Sequence, residues 1–138
     1  MLNREEALKT IEAAYAARAS GDKAALATYW AKGAQFRIAA DANFLKNVPL
    51  SAETPMAAIG ELIDKFAFSE MERIAAVVEG RKVAVHWAVT VRFAGGAPVR
   101  TELMDMIDLD DDGRIETFVQ FADTAQIRAL MEAEGAAA

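Results

Sequence analysis

One histidine, one aspartate and one glutamine are placed to do chemistry together: His86, Asp105 and Gln120. They fall on three apolar runs of strand length between Lys82 and Ala122, separated by Gly95-Gly96 and by Asp110-Asp111-Asp112-Gly113. Runs rich in Val, Ile, Thr and aromatics between Gly and Asp clusters read as hairpin-joined strands. With Gly95-Gly96 as a two-residue loop, Ala94 pairs with Ala97, Ala88 with Leu103 and His86 with Asp105. Opposed side chains share a face about 5 Å apart. Across the next turn Phe118 falls near Asp105, with Gln120 two residues on and on the same face. A His–carboxylate pair does general acid–base work near neutral pH. An aspartate in an apolar wall can instead hold its proton and donate a hydrogen bond. The plain alternative is a cross-strand pair that satisfies only itself, or a pair facing solvent. A one-residue slip of register separates the pair altogether.

The elements that must position these groups begin with a helix capped by Asn3. Glu6 completes a capping box, Leu8, Ile11, Tyr15 and Ala19 form one face, and Gly21 is a left-handed stop. Asp22 caps a second, shorter helix to about Ala31, with Leu26 and Trp30 on one face and Gly33 as its breaker. Gln35 to Ala39 reads as a short strand, and Asp41 to Glu53, with Pro49, as a loop: a lid, a pocket rim or a connection. Thr54-Pro55 opens a helix to about Ala67. Met71 to Val78 is the next strand, and Asp123 or Thr124 caps a last helix bearing Ile127, Leu130 and Met131. Residues 134–138 read as a frayed tail. Helices followed by strands argue for one α+β domain over 1–138, with helices covering one face of a curved antiparallel sheet. Such a cone leaves a cavity at its mouth. Tyr15, Trp30, Phe36, Ile38 and Phe118 are the expected wall, each with plain core packing as the alternative role. Arg37 and Arg92 read as surface charge or as a hold for an acidic substrate.

Composition narrows the function. Without cysteine, disulfides, thiolate catalysis and cysteine metal sites are excluded. A formal charge of −6 argues against nucleic acid, whose phosphates need a basic surface. No apolar run spans a bilayer and Met1 leads straight into a polar helix start, so a cytoplasmic, non-membrane protein is the expectation. The 54% hydrophobic fraction exceeds what a small monomer needs and points to a buried oligomer face. The opposite face of the meander, with Val83, Val85, Trp87, Val89, Val91 and Phe93, then Met104 and Met106, then Val119 and Phe121, is too apolar for water. It is expected either under the helices or in a homodimer, with the homodimer preferred. Asp108-x-Asp110-x-Asp112-Gly113 imitates a calcium loop, but its twelfth position is Val119 and turn chemistry explains the acids. A single histidine without cysteine gives zinc no site. No phosphate loop or nucleophile elbow is present, so no cofactor and no metal are expected.

Several local signals resemble the nuclear transport factor 2-like superfamily, and most closely its SnoaL-like, ketosteroid-isomerase-related branch. They are Tyr15…Ser20-Gly21-Asp22, Leu26…Tyr29-Trp30, Ala34-Gln35-Phe36, Met104-Asp105-Met106-Ile107-Asp108, Asp112-Gly113-Arg114-Ile115 and Phe121-Ala122-Asp123-Thr124-Ala125. The resemblance implies a cone-shaped roll, a homodimer through the sheet, and isomerase, cyclase, dehydratase or epoxide-hydrolase chemistry on small hydrophobic molecules. It includes members that only bind. Ile38 stands where steroid isomerases carry their aspartate base, Tyr15 is about one residue out of register with their helix tyrosine, and Asp105 matches the second acid of their oxyanion hole. The combined expectation is a cofactor-independent enzyme using Asp105 and His86 on a hydrophobic carbonyl compound, with Gln120 or Tyr15 stabilising oxygen charge. The alternative is a binding or dimeric interaction module of the same fold.

Overall fold

The computed structural model describes residues 3–47 and 54–137. Ten elements follow one another: α1 (Arg4–Ser20), α2 (Lys23–Ala27), β1 (Trp30–Ile38), α3 (Ala42–Asn47), α4 (Pro55–Lys65), β2 (Phe66–Glu79), β3 (Lys82–Phe93), β4 (Val99–Leu109), β5 (Ile115–Ala122) and α5 (Thr124–Ala137). The caps read from the sequence are formed. Asn3 and Glu6 close a capping box, Gly21 takes φ +75°, and the Thr54 side chain accepts from the Ala57 amide. Asp123 accepts from Gln126 at the start of α5, and that helix continues to Ala137, through most of the stretch expected to be a frayed tail.

The strands form one curved sheet in the order β1-β5-β4-β3-β2. It is α+β as expected but mixed, since β1 runs parallel to β5 while the other pairs are antiparallel. Two irregularities in β2, between Ser69 and Glu72 and between Arg73 and Ala75, give that strand the bends a closing sheet needs. Trp30 belongs to β1 rather than to α2, which stops at Ala27. Gly33 is therefore no helix breaker. It sits at φ +77° inside the irregular stretch of β1 between Trp30 and Gln35. Residues 42–47 of the expected loop are a short helix, capped by Asp41 on the Phe44 amide; Pro49 lies outside the described residues.

The hairpin between β3 and β4 corrects the expected register. Its last pair is Val91–Val99, so the connection runs from Arg92 to Pro98. Ala94 and Gly95 are both left-handed there, and the Gly96 amide donates to the Phe93 carbonyl at 2.9 Å. That is an odd number of residues where a two-residue loop is even, and the parity reverses which face each residue shares. Val85, not His86, pairs with Asp105, and His86 pairs with Met104.

The core follows from this register. Val83, Val85, Trp87, Val89 and Val91 of β3 and Thr101, Leu103, Asp105, Ile107 and Leu109 of β4 are buried on the inner face. Ala7, Ile11, Ala14, Tyr15 and Ala17 of α1 are buried with them in the same core. Met104, Met106 and Phe121 lie on the outer face at 41%, 45% and 44% exposure, alongside Val77 at 65%. The apolar face expected to be continuous is thus divided between the helices and the outside. Among the described residues no helix is long and apolar enough to cross a membrane.

Candidate functional site

A cavity of about 90 Å³ opens between α1, α4, α5 and the inner face of the sheet. Its wall includes Tyr15, Trp30, Phe36, Ile38 and Phe118, the five residues expected there, and Gln120 joins them. The rings interlock. Trp30 stacks on Phe118 with centroids 5.6 Å apart, Phe36 stands 5.6 Å from Phe118, and Tyr15 lies 6.2 Å from Phe118 and 4.5 Å from Trp87. Parallel pairing of Phe36 with Phe118 and of Ile38 with Gln120 brings β1 and β5 side chains to the same wall.

Asp105 is 0% exposed and stands behind that wall. β4 aims it inward between Leu103 and Ile107, and α1 brings the Tyr15 hydroxyl to donate to its Oδ2. Its Oδ1 has no hydrogen-bond partner. Gln120 pairs with it across β4 and β5 and favours its ionised form without closing a hydrogen bond on that second oxygen. Burial dominates: it pushes the Asp105 carboxyl from an ordinary 3.8 up to about 7, against the pull of Tyr15 and Gln120. Burial, the Asp105 charge and the hydrogen bond to it hold the Tyr15 phenol well above its usual range, and the Trp87 indole offsets part of this. A buried carboxyl whose pKa is raised to about 7 is thus hydrogen-bonded to a phenol of the cavity wall.

His86 does not join them. It lies on the outer face, where its Nε2 is 2.6 Å from Glu102 Oε1. The predicted His86–Asp105 pair is therefore corrected to two separate pairs on opposite faces of one sheet. Asp41, three residues past Ile38, is committed to capping α3. Arg37 and Arg92 are exposed. Asp110 accepts from the amides of Asp112 and Arg114, which is turn chemistry. Among the described residues no group of three or more metal-ligating side chains converges.

Two polar groups in the wall were not singled out for their polarity. Arg18 lines the cavity one helical turn after Tyr15. Its position was readable, because a charged residue on the i, i+4, i+7 stripe of Ile11, Tyr15 and Arg18 cannot be ordinary core. Trp30 was expected as an apolar wall, yet its buried Nε1 has no hydrogen-bond partner. Nothing local in the sequence distinguishes an indole with a free N–H from one without.

The SnoaL-like domain family matches residues 11–118. No functionally curated protein matches the chain. Among solved structures it is similar to TerC co-crystallised with polyporic acid, at 15% identity and TM-score 0.73, covering 91% of this chain and 98% of that one. It is similar to an NTF2-like protein from Burkholderia xenovorans LB400, at 18% identity and TM-score 0.73, covering 95% and 99%. It is also similar to an LEH-like epoxide hydrolase from M. tuberculosis, at 16% identity and TM-score 0.66, covering 93% and 91%. At these identities the likeness is one of fold.

Proposed function

The chain belongs to the SnoaL-like family within the nuclear transport factor 2-like superfamily, and from that premise we propose that it is a cofactor-independent enzyme of isomerase, cyclase or dehydratase type acting on a hydrophobic carbonyl compound. The observation that carries the reading is the Tyr15–Asp105 pair: a phenol on the cavity wall backed by a fully buried carboxyl. The substrate's carbonyl oxygen meets Tyr15, with the Gln120 amide as a second polar contact. When Asp105 carries its proton it donates to the Tyr15 oxygen, and the Tyr15 hydrogen is free to turn to the substrate. Charge developing on that oxygen is then stabilised in a site that excludes most water. When Asp105 is ionised it holds the Tyr15 hydrogen for itself. Activity therefore falls as pH rises through about 7.

Ile38 occupies the wall where a carboxylate base would act, and among the described residues no Asp, Glu or His lines the cavity. The substrate fitting this wall is an activated carbon acid, able to lose its proton to water once its carbonyl is polarised. The same apolar lining favours the second reading, a carrier that binds such molecules without turnover. Similarity to a protein co-crystallised with polyporic acid and to an epoxide hydrolase supports a small-molecule pocket and leaves the choice to experiment.

The discriminating measurement is proton–deuterium exchange at the carbon beside the carbonyl, followed by NMR over a panel of bicyclic ketones and 1,3-diketones. The enzyme reading expects exchange above the buffer rate that Tyr15→Phe abolishes. Exchange at the buffer rate throughout, with ligands bound, favours the carrier. The outer face carries the partner we assign to this protein, a second copy of itself. Rows Val77–Ala84–Met106–Val119 and Ala75–His86–Met104–Phe121 run across four strands there, and several of their large apolar side chains stand exposed. Met106→Glu is expected to dissociate the dimer in sedimentation; a monomeric wild type contradicts the assignment.

A further inference from the structure

Arg18 is a cation in the wall of a largely apolar cavity, and among the described residues no carboxylate is paired with it. Nη2 donates to the Phe66 carbonyl at 2.8 Å and to the Leu62 carbonyl at 3.3 Å, at the end of α4. The guanidinium carbon lies 3.8 Å from the centroid of the Phe68 ring. Among the described residues no acid lies within ion-pair distance of it, and its Nε and Nη1 groups make no hydrogen bond. Burial lowers its pKa from 12.5 to about 10, so it stays charged at neutral pH.

A structural role explains half of this. One edge of the guanidinium caps the last carbonyls of α4, where positive charge is favourable. A lysine would do that with a compact ammonium on a flexible stem. The planar fork does something more: with one edge fixed on α4 and one face on Phe68, its remaining donors keep a set direction. A half-buried charge without a counter-charge loses part of its hydration, and a ligand that supplies the partner offsets that cost. The chain carries a formal charge of −6, so its overall field repels anions. Only a local cation makes this cavity hospitable to one. Arg18 also sits three residues from Tyr15 on α1, which places the two side chains side by side on one helix face.

We propose that Arg18 is the anion-recognising group of the cavity, and that its ligand is a hydrophobic molecule bearing a delocalised oxyanion, a carboxylate or an enolate, held beside the oxygen that meets Tyr15. This inference rests on the small-molecule pocket above and names the class of molecule that fills it. It also meets a need of the chemistry, since an activated carbon acid that loses a proton becomes such an anion.

The test compares matched pairs of probes by titration calorimetry. 2-Naphthoate is set against neutral 2-naphthamide, and ionised 2-hydroxy-1,4-naphthoquinone against neutral 2-methoxy-1,4-naphthoquinone. Wild type is expected to prefer the anion of at least one pair by about tenfold or more, the range of a charge-assisted hydrogen bond. The pair that shows the preference tells carboxylate from enolate. Arg18→Met is expected to bring that ratio close to one, and Arg18→Lys to keep part of it. A ratio within one protein is insensitive to any general loosening from the lost α4 cap. Equal binding of anion and neutral partner in both pairs, or a ratio unchanged in Arg18→Met, overturns the proposal and leaves the pocket standing. Failure of all four to bind at millimolar concentration contradicts the proposal and the small-molecule reading together.

Discussion

Asp105 and Asp108 stand three residues apart on β4 and face opposite ways. Asp105 is buried against Tyr15, and its pKa is raised to about 7. Asp108 lies toward solvent, accepts from Lys82 at 2.8 Å and from Thr117 at 2.6 Å, and is held below the ordinary carboxylate value by those bonds. The residue type and the strand are the same; the environments differ in whether water or a cation compensates the charge. Burial without a cation keeps a proton available at neutral pH, whereas an exposed ion pair fixes the charge and removes the group from acid–base chemistry. On the outer face, away from the Tyr15–Asp105 pair, His86 Nε2 stands 2.6 Å from Glu102 Oε1.

The widest gap between the two faces is expected in turnover. Tyr15→Phe should cost about 10²–10³-fold in the exchange rate, the usual loss for one oxyanion donor. His86→Ala should stay within about twofold of wild type. Equal losses would dissolve the distinction.

Packing should separate the faces next. Ile107 is 2% exposed beside Asp105, and Ile107→Ala is expected to cost about 2–4 kcal/mol in urea unfolding. Its neighbour Met106, on the outside, should cost about 0.5 kcal/mol or less in the protomer under conditions that keep it monomeric.

The acids should then differ in sign. The folded protein holds a proton on Asp105 that the unfolded chain releases above its ordinary 3.8. The stability tied to it is therefore full below about pH 4, declines as pH rises to about 7, and is flat beyond. Asp105→Asn should remove that decline and raise stability at pH 8 by on the order of 2 kcal/mol, read from denaturant midpoints across pH. Asp108 works the other way: its contribution is present above the ordinary carboxylate range and is lost as pH falls. Being exposed and screened, Asp108→Asn should cost about 0.5 kcal/mol or less. A decline between pH 4 and 7 that survives Asp105→Asn would assign it to another group.

The sequence made the elements legible because caps and periodicity are local signals. Asn3, Gly21, Thr54 and Asp123 mark helix ends in the sequence, and each does so in the structure. The wall residues Tyr15, Trp30, Phe36, Ile38, Phe118 and Gln120 were also readable. Resemblance to a family with a known cone supplied their common destination. What failed was parity. Gly95-Gly96 carries a strong two-residue turn signal, but the chain turns through Ala94 and Gly95, and the left-handed φ of +51° at Ala94 is not something alanine announces. One residue of slip moved His86 out of the site and split the apolar face in two. The direction of Tyr15 is not legible in the sequence, because a helix face narrows a side chain only to a sector; its meeting with Asp105 is a tertiary fact. The place of Arg18 on the cavity side of α1 is legible in the spacing, but its partners, carbonyls and a ring, are not, because no charge pattern reveals them.

The central claim is that Asp105 keeps an exchangeable proton at neutral pH behind Tyr15. Its direct test is a ¹³C NMR titration of aspartate side-chain carboxyls, with the Asp105 signal assigned by its loss in Asp105→Asn. The account predicts a midpoint at about 7 for that signal. A midpoint in the ordinary carboxylate range, near 4, would leave Asp105 ionised throughout the neutral range and contradict its proposed role as a donor to Tyr15.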